Sequence, residues 1–537
     1  MADGIGNQKG QRQVTPDIER RRKETLDKLQ KNRQNMAPAS PPLVDTNSRP
    51  RISVSGGTAP LDTGGQLPER FGESGFYRTY LDVVKSIEST FINNTPVMSV
   101  GTMNFNVAKL MAAAVLSKTN AYLVGARGSG KTLLAETIYR SILNEDGMYL
   151  RGDLNMTVKD LFRAVNLDAK TDEERVMVSK RIRHLMALID ELNRVPGPLQ
   201  NQFLNLMDGY FEINGKKYYI GNQNYFLAIA TGNPPTNGDY GGTFDEDLAL
   251  LNRIYLLINT DTVKLADGDA AEIARRAIDK SRIPLGDLRR KVLSSYRRIE
   301  ENVMGNSETA EAYALLAEMT FKAFRTVKIG PRGAEKEVDK AVEENWREIL
   351  LTQRQGGGQH SGAELISYCS DIPMRTITGT GRFAFTLFDI ASLSAKVDNK
   401  TGKKTPIPGN SEHIATFFEV LKLALNYDRR FISPELPEQL GKSRGEMLSK
   451  AFNDLSSRID PDLFENGIIA LQTFDEALAN GNERDINQIV QAHENVKGQS
   501  PIFSAVLGIL KDRIRRRNEK LDYERQTGGL NDDLSDI

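Results

Sequence analysis

The stretch from Ala121 to Arg140, AYLVGARGSGKTLLAETIYR, constrains this chain more than any other. Tyr122-Leu123-Val124 is a short apolar run that reads as a buried strand. It breaks at Gly125, and Gly125-Ala126-Arg127-Gly128-Ser129-Gly130-Lys131-Thr132 follows; Leu133, Leu134 and Ile138 then recur at helical spacing. Strand, glycine-rich loop and helix in that order make a phosphate-binding P-loop. The glycines let the backbone bend so that its N–H groups converge on phosphate oxygens, and the helix start adds the positive end of its dipole. Lys131 is expected to reach the β- and γ-phosphates, and the Thr132 hydroxyl to ligate Mg²⁺.

A second segment, His184 to Asp190, carries the continuous apolar run Leu185 to Ile189, as expected of a parallel strand covered on both faces. It delivers Asp190 and Glu191 at a strand's carboxyl end, where ligands sit in open α/β sheets. Asp190 is expected to hold Mg²⁺, directly or through water, and Glu191 to polarise the water that attacks the γ-phosphate. A third run, YFLAIAT from Tyr225 to Thr231, ends in Gly232-Asn233-Pro234-Pro235 and places the Asn233 amide beside that pair, where it can orient the water.

Around these segments the chain divides by composition. Residues 1–75 read as a low-complexity tail: a thin helix from Thr15-Pro16, then a Pro-, Gly- and Ser-rich linker from Met36 to Glu73. Val107, Leu110, Met111, Ala114 and Val115 mark an amphipathic helix, and Met148-Tyr149-Leu150 a second strand. A helix carrying Val158, Leu161, Phe162 and Val165 is expected next. Tyr210 to Ile220 reads as a hairpin turning at Asn214-Gly215. Phe244 to Asn252 reads as a helix, and Ile254 to Ile258 as a strand. Beyond Thr262 the spacing is helical, with a Gly/Gln-rich loop at Gln353–Gly362, a helical run opening at Ile372-Pro373-Met374-Arg375, and a last helix bearing Phe503 to Leu521.

Lys plus Arg and Asp plus Glu both number 71, so no global field points to nucleic acid. The lone Cys369 excludes an intramolecular disulfide and fits a reducing compartment. With no leader-like apolar core and no run long enough for a bilayer, the expectation is a soluble cytoplasmic protein without a membrane span. The four histidines are scattered without zinc-ligand spacing.

The phrases GARGSGKT, IDELNRV, LMDGYFEINGKKYYIG, ATGNPPTNGDYGG and LALLNRI occur in that order between Val107 and Ile258. This run resembles the AAA+ ATPases, and within them the MoxR-like group. The resemblance implies an α/β P-loop core with a parallel five-stranded sheet between helices, followed by an all-helical lid; residues after about 400 fall outside it and read from their spacing as a C-terminal helical region. The corresponding ranges are 76–262, 263–400 and 401–537. It also implies ATP and Mg²⁺ as ligands and a ring homo-oligomer, commonly a hexamer. The family's P-loop lysine and threonine fall on Lys131 and Thr132, its acidic pair on Asp190 and Glu191, and its first sensor on Asn233. Its arginine finger falls on Arg253, which would serve a neighbour's phosphate; the chain reads Asn252-Arg253-Ile254 where the family has Asp-Arg-Phe. A second-sensor arginine is expected at Arg375, with Arg382 as competitor.

Three readings of function follow. The first is a chaperone-like ATPase that remodels a client protein, in the resembled family often one with a von Willebrand factor A domain. The second is a nucleic-acid motor, opposed by the zero net charge but kept open by Lys216 and Lys217 on the hairpin. The third is a nucleotide-dependent scaffold with weak turnover, opposed by the intact acidic pair. The P-loop alone does not distinguish ATP from GTP.

Overall fold

The computed structural model describes residues 72–531 apart from 145–147, 153–162, 166–175, 179, 196, 214–215, 223, 234–247, 279–286, 306, 325–371, 426–442 and 498. The tail helix at Thr15, the linker up to residue 71 and the Gln353–Gly362 loop expected from sequence lie outside those residues; Glu73, read as the linker's end, already opens a helix.

The described chain opens with α1 (Glu73–Glu88), which buries Phe76, Tyr80, Val83, Val84 and Ile87 at the three- and four-residue spacing of one helix face. A small hairpin of β1 (Met98–Val100) and β2 (Met103–Phe105) leads to α2 (Val107–Ser117). Asn106 starts α2 by accepting the Lys109 N–H at 2.9 Å. Then come β3 (Ala121–Val124), α3 (Lys131–Thr137) and β4 (Met148–Arg151). Two short strands, β5 (Arg163–Val165) and β6 (Val176–Val178), pair antiparallel. The expected helix through Val165 is therefore wrong at that residue. Four apolar positions at helical spacing are weak evidence in so short a run, and cross-strand pairing decided the conformation. Val158, Leu161 and Phe162 lie outside the described residues.

Next are β7 (Met186–Asp190), α4 (Gly197–Met207), the hairpin β8 (Tyr210–Ile213) and β9 (Lys216–Tyr219), β10 (Leu227–Gly232), α5 (Leu248–Leu251) and β11 (Leu256–Asn259). The main sheet has five strands in the order β11-β3-β10-β7-β4, all parallel. The alternation of side chains along each strand sorts them onto two faces. Ala121, Leu123, Leu188, Ile229 and Ile258 pack with α1 and α2, while Tyr122, Val124, Ile189, Ala230 and Leu257 pack with Phe203 and Leu206 of α4. Burial on both faces explains why these strands are uninterrupted apolar runs.

The elements among the remaining described residues are helices: α6 (Asp269–Ile278), α7 (Arg289–Gly305), α8 (Ser307–Phe324), α9 (Met374–Lys400), α10 (Asn410–Leu425), α11 (Arg444–Ser457), α12 (Pro461–Ala479), α13 (Glu483–Val496) and α14 (Pro501–Asn531). Aromatic side chains join α8, α9 and α10: His413 stacks on Phe388 at 4.6 Å and meets the edge of Tyr313 at 5.9 Å. Arg513 of α14 joins Glu311 of α8 at 2.5 Å and Asp475 of α12 at 2.8 Å. Among the described residues, no helix is long and apolar enough to cross a membrane.

Candidate functional site

The sheet's parallel register brings the three predicted segments to one edge. β10 lies between β3 and β7, so the residues after Val124, Asp190 and Gly232 emerge side by side at the carboxyl ends. There Arg127, Gly128, Gly130, Lys131, Thr132, Leu133, Asp190, Glu191, Thr231 and Asn233 line a cavity of about 310 Å³.

The loop is built for this place. Gly130 caps α3 at φ 81, a left-handed conformation that favours glycine. A side chain on Gly125 would meet the Thr260 hydroxyl at 1.9 Å, so the loop lies directly against the end of β11. Asp261 grips it from the same side, its two carboxylate oxygens accepting the Ala126 N–H at 2.8 and 3.0 Å. Lys131 is buried, with Nζ donating to the carbonyls of Gly125 and Ala126 at 2.7 Å each and to the Ser129 hydroxyl at 3.2 Å. Desolvation lowers its pKa, against the attraction of Asp261, Asp190 and Glu191.

Asp190 accepts three side-chain hydrogen bonds. Its Oδ1 accepts from the Thr132 hydroxyl at 3.0 Å and the Thr231 hydroxyl at 2.5 Å, and its Oδ2 accepts from the Tyr149 phenol at 2.7 Å. Desolvation and then the bond to Asp190 push the Tyr149 pKa upward, so the phenol stays a donor. Glu191 follows in a left-handed conformation, φ 56 and ψ 48, which a non-glycine residue adopts at some cost. Its N–H donates to the Thr231 hydroxyl at 3.0 Å. Its Oε2 is buried without a hydrogen bond and lies 3.3 Å from Nε of Arg194 as an ion pair. Asn233 is 6% exposed, and its carbonyl accepts from Asn193 Nδ2 at 2.6 Å.

These donors fit a nucleoside triphosphate with a divalent cation. The hydroxyl and carboxylate oxygens of Thr132 and Asp190 converge at 3.0 Å and are the hard ligands Mg²⁺ prefers. The glycine loop and Lys131 supply the anion cradle. The Glu191 oxygen left without a hydrogen bond is an acceptor on the cavity wall.

Arg253, Arg375 and Arg382 do not line this cavity. Leu256 pairs with Ala121 at the amino ends of β11 and β3, so Arg253 precedes the sheet on the side opposite the loop. Asn120 to Gly125 spans about 17 Å at the rise of a strand. Arg253 donates through Nε to Asp208 at 3.0 Å and through Nη1 to the Ala249 carbonyl at 2.7 Å. Arg375, at the start of α9, pairs with the other oxygen of Asp208. The structure thus brings Lys131, Thr132, Asp190, Glu191 and Asn233 together, and brings Arg253 and Arg375 together elsewhere. Sequence reasoning passed over Thr231, Tyr149, Asp261 and Asp208. Thr231 had a usable signal, a polar residue ending an apolar strand just before Asn233; the others had none.

Residues 120–254, about a quarter of the chain, match the family described as AAA domain (dynein-related subfamily). A crystal structure of a protein from Cytophaga hutchinsonii to which ATPase activity is ascribed is similar at 16% identity and a TM-score of 0.45, covering 71% of this chain and 95% of that one. No curated protein matches the chain. The chain therefore carries an AAA-type α/β domain, a fold that implies nucleotide binding.

Proposed function

We propose that this protein hydrolyses ATP, with Mg²⁺, in a MoxR-like ring of identical subunits and uses the cycle to remodel a partner protein. The observation that carries the reading is one cavity shared by Lys131, Thr132, Asp190, Glu191 and Asn233. Lys131 and the loop N–H groups bind the β- and γ-phosphates. Thr132 and Asp190 would hold Mg²⁺, which offsets charge on the phosphate oxygens when bound. Glu191 accepts a proton from the attacking water, and the Asn233 amide orients it. Water oxygen bonds to the γ-phosphorus as the bond to the bridging oxygen breaks, giving ADP and phosphate.

Arg253 stands at the other end of the sheet from its own loop, so it serves the γ-phosphate of a neighbouring copy. Arginines supplied this way raise rates about 10³–10⁵-fold in measured systems. A hairpin bearing the half-exposed Tyr219 and the exposed Lys217 gives such a ring a means of touching a client. Lys217 lies 3.6 Å from the Tyr210 ring, a cation on an aromatic face.

The test is ATP turnover and nucleotide binding by Lys131→Ala and Glu191→Gln. The first should lose binding. The second should keep it and lose about 10²–10⁴ in rate, the contribution of a general base. Equal turnover by wild type and Glu191→Gln would overturn the assignment.

A further inference from the structure

We infer that Asp208 is a positioning residue that holds Arg253 and Arg375 as one cationic unit for the phosphate of a neighbouring copy. The inference rests on the shared-site reading above. Asp208 closes α4, and each carboxylate oxygen takes one arginine: Oδ2 accepts Arg253 Nε at 3.0 Å, and Oδ1 pairs with Arg375. The side chains of Asp208 and Arg253 are 13% and 16% exposed, whereas Arg375 is 44% exposed. One arginine is therefore fixed and the other stands at the solvent edge. Two guanidinium groups this close would repel each other, and the carboxylate between them offsets that repulsion. A neutral amide of the same shape would not.

The platform beneath the carboxylate is rigid. The buried Asn120, directly before the strand that leads to the P-loop, donates through Nδ2 to the Met207 carbonyl at 3.1 Å and the Arg253 carbonyl at 3.0 Å. Its own side-chain oxygen accepts the Ala228 N–H at 3.0 Å. The backbone on each side of the Asp208–Arg253 pair is thus tied to one side chain, which fixes their separation. The lid helix is seated on the same platform. A Cβ added to Gly379 would lie 2.2 Å from the Tyr255 ring, so α9 packs its backbone against that ring. Arg375 is one helical turn earlier and so shares that face. Asp208 accordingly couples the lid to the core as well as arginine to arginine.

The experiment uses the full chain. Asp208→Asn, Arg253→Ala and Lys131→Ala are assayed alone, and each of the first two is mixed with Lys131→Ala. Asp208→Asn should keep KM for ATP and its nucleotide affinity, and lose about 100-fold in kcat, the usual cost of a misplaced catalytic group. Asp208→Glu should recover part of that loss. Mixing Asp208→Asn with Lys131→Ala should restore turnover, because some interfaces then join an intact P-loop to an intact arginine unit. A merely structural carboxylate would not yield this rescue.

Wild-type kcat in Asp208→Asn overturns the inference. Failure of its mixture while the Arg253→Ala mixture is rescued also overturns it, leaving the shared site standing. Failure of both mixtures overturns the shared-site reading and the inference with it. Should Asp208→Asn melt early, Arg375→Gln carries the same mixing test from the other partner. Rescue of the Arg375→Gln mixture supports the inference, and its absence beside a rescued Arg253→Ala overturns it.

Discussion

The hydroxyl of Thr231 lies 2.5 Å from Oδ1 of Asp190. Because the Thr231 hydroxyl oxygen also accepts the Glu191 N–H at 3.0 Å, Thr231 fixes one acid by its side chain and the next by its backbone. A residue at the end of the central strand thereby sets the relative position of Asp190 and Glu191, the proposed cation ligand and base.

Thr231→Val keeps the shape and removes both bonds. ATP affinity should change little, since the P-loop is untouched, while kcat falls about 10–100-fold through loss of positioning. Thr231→Ser should restore most of it. Steady-state kinetics check this, and an unchanged kcat in the valine variant would show the hydroxyl to be packing only.

Tyr149→Phe removes the donor to Oδ2 of Asp190. Groups that orient a metal ligand are typically worth 10–100-fold in metal affinity. The Mg²⁺ concentration for half-maximal turnover should rise by about tenfold, with the saturated rate little altered. A Mg²⁺ titration of both proteins decides it.

His413 gives a pH dependence of stability. Burial between Phe388 and Tyr313 lowers its pKa from 6.5 to about 4. The unfolded chain then takes the proton first, so stability is full above pH 6.5 and falls as pH drops towards 4. The loss reaches about 3 kcal/mol. His413→Phe should flatten this part of the curve, seen as urea midpoints at pH 7.5 and 5. A wild-type midpoint unchanged between those two values would refute the account.

Glu311 is 6% exposed, and burial raises its pKa although Arg513 lies 2.5 Å away. Arg513→Met leaves that carboxyl without its partner and should cost about 3–5 kcal/mol. Adding Glu311→Gln should return much of it. Thermal melts of the single and double variants measure the coupling.

What the sequence revealed was local chemistry. The glycines of the P-loop, the apolar run before Asp190 and the strand before Asn233 each announce themselves within ten residues, so the sheet and the cavity were legible. Val165 was misjudged because three residues do not distinguish a strand from a helix without their partner. Tyr149, Thr231 and Asp208 were missed for a different reason. Their partners lie 41, 41 and 45 or 167 residues away, and parallel register and helix packing alone bring them together. Arg375 was legible as a candidate, yet nothing in the sequence placed it beside Arg253.

The left-handed backbone of Glu191 sets a limit on how this protein can be improved. A residue with a Cβ at φ 56 costs on the order of 1 kcal/mol. Glycine would relieve that strain, at the loss of the ion pair with Arg194. Glu191→Gly should therefore melt at or above the wild-type temperature while turning over no ATP. Selection for heat resistance alone would discard this acid; under the proposed mechanism its retention is a compromise in which activity outweighs durability.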